Sequence, residues 1–253
     1  MKSLLIAMLV FVPGICGAQG LLDFRNDLAF ETQTVEGMAE RTYRARIRAL
    51  AADGRLDTDP RLLDQLHQLV AQLLAGARIE RPDAATLTWE IHTCQRCGEN
   101  ASAMAGGKLL ISEEFIATYS FTADELAYVL AHEMAHVLAE HTREFATAAR
   151  FFVGNGRHRD YEDIQNELDE SLALVLRMSP VYIQQELEAD YMGFIIGARS
   201  GFDPKAMLRM LAKLGMRTGP SFAPHPRSGE RSQRAEAMLQ AVLRIKEAAG
   251  FGF

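Results

Sequence analysis

A chain of 253 residues, 48% of them apolar, suits one globular domain with a substantial buried core. Its formal charge is −6 and no basic tract interrupts it, which disfavours nucleic acid and anionic membrane surfaces as partners.

The first twenty residues, MKSLLIAMLVFVPGICGAQG, stand apart from the rest. Lys2 precedes an apolar run from Leu4 to Val12, Pro13-Gly14 breaks it, and small residues occupy position 18 and the position two before it. This pattern predicts a secretory signal peptide over 1–18 and a single domain over 19–253, delivered to the periplasm. The run is too short to span a bilayer. Lipidation of Cys16 is disfavoured because bulky Ile15 sits where a small residue is wanted.

After export, Cys94 and Cys97 remain, spaced CQRC, in an oxidising compartment. A structural disulfide is the reading their context favours. A redox-active pair would open a helix, whereas this one follows the strand-like TLTWEIH and precedes Gly98. A zinc half-site would need a second pair.

In chain order, Val35–Ala52 reads as a helix ended by Asp53-Gly54. Asp59-Pro60 opens another, on which Leu62, Leu66, Leu69, Leu73 and Leu74 form a core stripe. Thr86–His92 and Lys108–Ser112 are predicted strands, with Gly106 and Gly107 marking a turn or bulge between them. Thr122 and Glu125 form a capping box that starts a helix near Ala123, predicted to run to about Phe152. Three further helices are predicted over 160–177, 181–198 and 205–214. The second of these starts after Ser179-Pro180 and the third after Asp203-Pro204. A loop rich in Pro and Gly then leads to a last helix from Arg231. The fold class is α+β, predominantly helical, with a small sheet before the histidine-bearing helix.

That helix carries His132-Glu-Met-Ala-His136, an HExxH motif. Two neutral imidazoles one turn apart can hold Zn²⁺, and Glu133 can take a proton from a water that the metal polarises. His141, nine positions past His132, lies about 180° away on a continuous helix and could join only if the helix broke. A catalytic zinc needs a third protein ligand. The metzincin arrangement is excluded by Ala139 and Thr142. Downstream, QQELEAD places Glu186 and Asp190 four apart on one helical face. Glu186 can ligate the metal while Asp190 accepts from the other ring nitrogen of a ligand histidine. Glu188 points about 200° from Glu186, toward solvent.

HEMAH, ELEAD and the later HPRSGER together resemble the gluzincin metallopeptidases of the HtpX and CaaX-prenyl-protease type, in particular their soluble, exported BepA- and LoiP-like members. NASAMAGGKLLIS and GFDPKAM extend the resemblance over most of the mature chain; Ala105, where proline is usual, Ser102 and the CQRC pair depart from it. The resemblance implies a zinc endopeptidase with one Zn²⁺ per chain on His132, His136 and Glu186, Glu133 as base and Asp190 behind a ligand histidine. It places Arg231 near Glu186 and Asp190. It brings His225 to the metal, either as a donor to the developing oxyanion or as a fourth ligand in a latent state. It also implies an edge strand over Ala103–Ile111, including Met104, Gly106 and Gly107, that binds an extended peptide by strand addition. Protein or peptide substrates follow, among them misfolded or misassembled envelope proteins, with outer-membrane assembly factors as possible partners. Residues 143–178 would form a lid or simply packing. Two rival classes are a chaperone-like protein that keeps the zinc site but rarely cleaves, and a CxxC thiol oxidoreductase.

Overall fold

The computed structural model describes residues 28–98, 101–215 and 228–248. Residues 1–18, expected to be a signal peptide and including Cys16, and the loop holding His225 lie outside the described residues.

Helix α1 (Thr32–Ala52) and helix α2 (Pro60–Glu80) come first. Asp59 caps α2 as its sequence requires, accepting from the amides of Arg61 and Leu62. Strands β1 (Glu90–Cys94), β2 (Ala101–Met104) and β3 (Lys108–Ser112) make one sheet in the order β1-β3-β2. β3 is central, parallel to β1 and antiparallel to β2, with Ala101 opposite Ile111 and Met104 opposite Lys108. The expected single edge strand over Ala103–Ile111 is therefore a hairpin. Gly106 and Gly107 adopt φ of +81° and +82°, which only glycine takes at little cost. They reverse the chain, so of the two hairpin strands only β2 lies at an edge of the sheet. β3 is buried along its whole length, as a strand paired on both sides and packed on both faces must be.

Helix α3 (Glu113–Tyr119) leads into helix α4 (Ala123–Leu138), whose capping box closes as read: the Glu125 amide donates to Thr122 Oγ1 at 3.3 Å, and the Thr122 amide to Glu125 Oε2 at 2.8 Å. α4 is buried nearly all round and occupies the centre of the domain. It does not reach Phe152. Glu140 takes the left-handed conformation (φ 54°, ψ 34°), and helix α5 (His141–Ala149) starts in a new direction. Helices α6 (Tyr161–Glu170) and α7 (Leu172–Arg177) replace the single helix expected over 160–177. Ser171 ends one and caps the next by accepting from the Leu174 amide, which turns Leu172 and Val175 outward. Helices α8 (Ser179–Arg199), α9 (Lys205–Gly215) and α10 (Ser228–Ala248) complete the fold.

The main core joins α2, α4, α8, α9, α10 and the sheet through residues such as Leu73, Ile111, Tyr128, Met134 and Phe194. α5, α6 and α7 form a second core with Phe30 and Val35 of the N-terminal region, so residues 143–178 are packed structure. The backbones of α4 and α8 come together at Gly193, where a Cβ would lie 2.9 Å from the His132 amide nitrogen and 3.0 Å from its Cα. Backbone cannot yield there. Gly193→Ala is expected to force the two helices apart, lowering stability by about 1–3 kcal/mol. Because Glu186 rides on α8 and His132 sits at the contact, metal binding should weaken in parallel. Thermal melts and metal titration check both effects; unchanged values would refute the close-packing argument.

Candidate metal centre

α4 presents His132 and His136 one turn apart, and α8 brings Glu186 against them. The donor atoms converge. His132 Nε2 lies 3.1 Å from His136 Nε2 and 3.5 Å from Glu186 Oε2, and His136 Nε2 lies 3.3 Å from Glu186 Oε1. Ligands about 2.0–2.1 Å from a tetrahedral Zn²⁺ stand roughly 3.3 Å from one another, and each of these separations is close to that, the two to Glu186 running to different oxygens of its carboxylate. Among the described residues this is the single group of three or more His, Cys, Asp or Glu side chains close enough to hold an ion.

Behind the donors, His132 Nδ1 lies 3.1 Å from Asp190 Oδ1. Arg231, from the first turns of α10, grips the same carboxylate with both prongs, at 2.6 Å and 2.7 Å, and its Nη1 is 3.9 Å from Glu186 Oε2. All four side chains are buried. Burial would raise the Asp190 pKa, but Arg231 and His132 outweigh it and hold the carboxyl below its ordinary value. Burial would lower that of His132, yet Asp190 and Glu186 push it up to about 10. The pocket thus favours positive charge. Glu133 stands beside His132, half-buried, and contributes to the field at Tyr182.

The sequence pattern does not single out Tyr182 and turns His141 away from the metal, yet both lie at the centre. Tyr182, one turn before Glu186 on α8, hydrogen-bonds its carboxylate; burial and the charges of Glu186 and Glu133 drive its phenol far above the usual range, so it remains a donor. The Tyr-x-x-x-Glu spacing was the available signal. On a continuous helix His141 would lie on the opposite face from His132. The break at Glu140 instead brings its Nδ1 to 2.8 Å from His136 Nδ1. Glu188, expected in solvent, is only 26% exposed and approaches His141 Nε2 at 3.6 Å.

β2, which carries Ala103 and Met104, packs against α4 and pairs with β3 alone among the described strands. Gly106 and Gly107 belong to the turn at its end. There a cleft of about 260 Å³ is lined by Val35, Glu36, Ala105, Gly106, His136 and Arg143.

Cys94 and Cys97 are joined in a disulfide with Cα atoms 5.9 Å apart. Cys94 is fully buried at the end of β1, packed with Tyr43, Leu50 and Leu110, and not at a helix N-terminus as a redox-active thiol requires. Replacing both cysteines with serine should cost at most about 2 kcal/mol, because the closed loop is short. Metal content should not change; its loss would tie the pair to the metal site.

The model of Peptidase family M48 matches residues 60–239. The mitochondrial metalloendopeptidase OMA1 of Arabidopsis thaliana is 26% identical over 168 residues, covering 64% of this chain and 34% of that protein. OMA1 of Schizosaccharomyces pombe is 30% identical over 162 residues, 60% of this chain and 47% of its own length. OMA1 of Saccharomyces cerevisiae is 33% identical over 138 residues, 51% and 37% respectively. The chain thus spans between a third and a half of these relatives. The crystal structure of S. mikatae Ste24p aligns with a TM-score of 0.35 at 15% identity, over 81% of this chain and 64% of that one.

Proposed function

The chain belongs to peptidase family M48, a family of metallopeptidases, and from that premise we propose that it is a zinc-dependent endopeptidase of the bacterial cell envelope, acting on unfolded or misassembled proteins. One observation carries the reading: His132, His136 and Glu186 converge, with two ring nitrogens and a carboxylate close enough to share one ion. Zinc, when bound, would supply Lewis-acid polarisation of a peptide carbonyl.

The chain's own groups do the rest. Asp190, held by Arg231, accepts from His132 Nδ1 and so leaves Nε2 free to ligate. Glu133 receives the proton of the attacking water and passes it to the leaving amine. Tyr182 holds the Glu186 carboxylate in place. β2 takes an extended peptide as its next strand, which suits segments that have lost their own structure. The apolar run before position 19 supports export, with Gln19 as the first residue of the mature chain. Among the described residues no helix is long and apolar enough to cross a membrane.

The mature protein should contain one zinc per chain and digest casein, lose that activity to a chelator and regain it with added zinc. A preparation carrying one zinc that leaves casein intact would overturn the peptidase reading in favour of a binding protein. N-terminal sequencing that found lipid on Cys16 would overturn the soluble-export part.

A further inference from the structure

The geometry points to His141 as a positioning residue that fixes the ring of His136, so that the two histidines of the centre are held from behind by acceptors of different charge. This rests on the zinc reading above. His136 Nε2 faces His132 and Glu186, the side on which the metal would sit. A neutral imidazole that ligates through Nε2 carries its proton on Nδ1. That atom is 2.8 Å from His141 Nδ1, and two ring nitrogens this close share one proton. The proton belongs to His136, so His141 must accept, with Nδ1 bare. Its own proton then sits on Nε2, toward Glu188 Oε2 at 3.6 Å, which a small side-chain rotation converts into a hydrogen bond. The chain of groups from the metal side outward is His136, His141, Glu188.

Several features hold His141 for this task. It is 3% exposed. On a continuous helix a residue five past His136 would stand about 140° away from it. Glu140 in the left-handed conformation turns His141 back, and Glu140 is itself bound by Thr32 Oγ1 at 3.0 Å and Arg143 Nη1 at 3.1 Å. Gln185 Nε2 donates to the His141 carbonyl at 3.0 Å and to Glu144 Oε2 at 2.8 Å, which ties the start of α5 to α8. An uncommon backbone conformation of a non-glycine residue, secured by side chains from another helix, is strain that the surrounding structure maintains. What it achieves is the His141–His136 contact. His132, by comparison, rests on the anionic Asp190 that Arg231 clamps.

Zinc affinity measured by chelator competition, the visible spectrum of the cobalt-substituted protein, and long-range proton–nitrogen NMR of the zinc-loaded wild type test the assignment. NMR should show His141 with Nδ1 unprotonated and His136 with Nδ1 protonated; a proton on His141 Nδ1 would overturn the inference without any variant having to fold. His141→Leu should weaken zinc binding 10- to 100-fold and shift the cobalt bands. His141→Asn, whose carbonyl can accept from His136 Nδ1, should restore most of the affinity. Wild-type affinity in His141→Leu, or equal losses in the leucine and asparagine variants, would reduce His141 to packing. If the wild type itself bound no zinc, the failure would lie with the zinc reading.

Discussion

Glu133→Gln is expected to retain one zinc per chain and to lose peptide hydrolysis by roughly two to four orders of magnitude. The residue lies on α4 between the two histidines but contributes no donor atom to the group that includes them. Its replacement by an isosteric amide therefore leaves His132, His136 and Glu186 in place. What disappears is the only function an amide cannot supply, acceptance of a proton from water, which corresponds to about 3–5 kcal/mol in the barrier. The comparison that matters is with Glu186→Ala, which removes a donor and should lose the metal as well. Metal analysis and casein digestion of the two variants side by side separate base from ligand. Wild-type cleavage by Glu133→Gln would show that another group takes the proton.

Arg231→Met should be the most destabilising single change around the centre, by about 3–5 kcal/mol. The guanidinium makes two short bonds to a carboxylate that is 2% exposed, and methionine fills much of the volume without satisfying the charge. In the wild type, Asp190 titrates below the ordinary carboxylate range, so its contribution to stability is complete above that range and drains away only as the pH falls through the depressed value. Without Arg231 only His132 opposes burial, so the carboxyl moves up from its depressed value, and the loss at neutral pH should shrink on acidification. Denaturant titrations of both proteins from neutral to mildly acidic pH read this difference. The double variant Asp190→Asn, Arg231→Met should recover part of the stability, because no unpaired charge remains. Equal stability of Arg231→Met and wild type at pH 7 would remove the clamp from the account.

Much of the centre could be read from local sequence because its geometry is local. The His-x-x-x-His and Glu-x-x-x-Asp spacings need only a helix, and Thr122 with Glu125 states where that helix begins. The end of α4 was not legible in the same way. Glu140 offers no Gly, Asn or Pro as a stop signal, and its partner Thr32 is 108 residues away in sequence. The placement of His141 was hidden with it. β2 was obscured for a related reason: ASAM has little strand propensity of its own and becomes a strand by pairing with β3. The residue-level reading found the paired glycines yet could not decide between a turn and a bulge, a choice that the register of β2 against β3 settles.

Arg231 reaches Asp190 across 41 residues of chain, and Asp190 in turn reaches His132 across 58. A polypeptide synthesised from its amino end delivers α4 first, α8 later and α10 last. While only the earlier helices have emerged, Asp190 lacks its clamp and the His132 ring its fixed orientation. Competence to cut is thereby deferred until the last helix docks. A nascent peptidase assembled in this order spares neighbouring unfolded chains until α10 is in place.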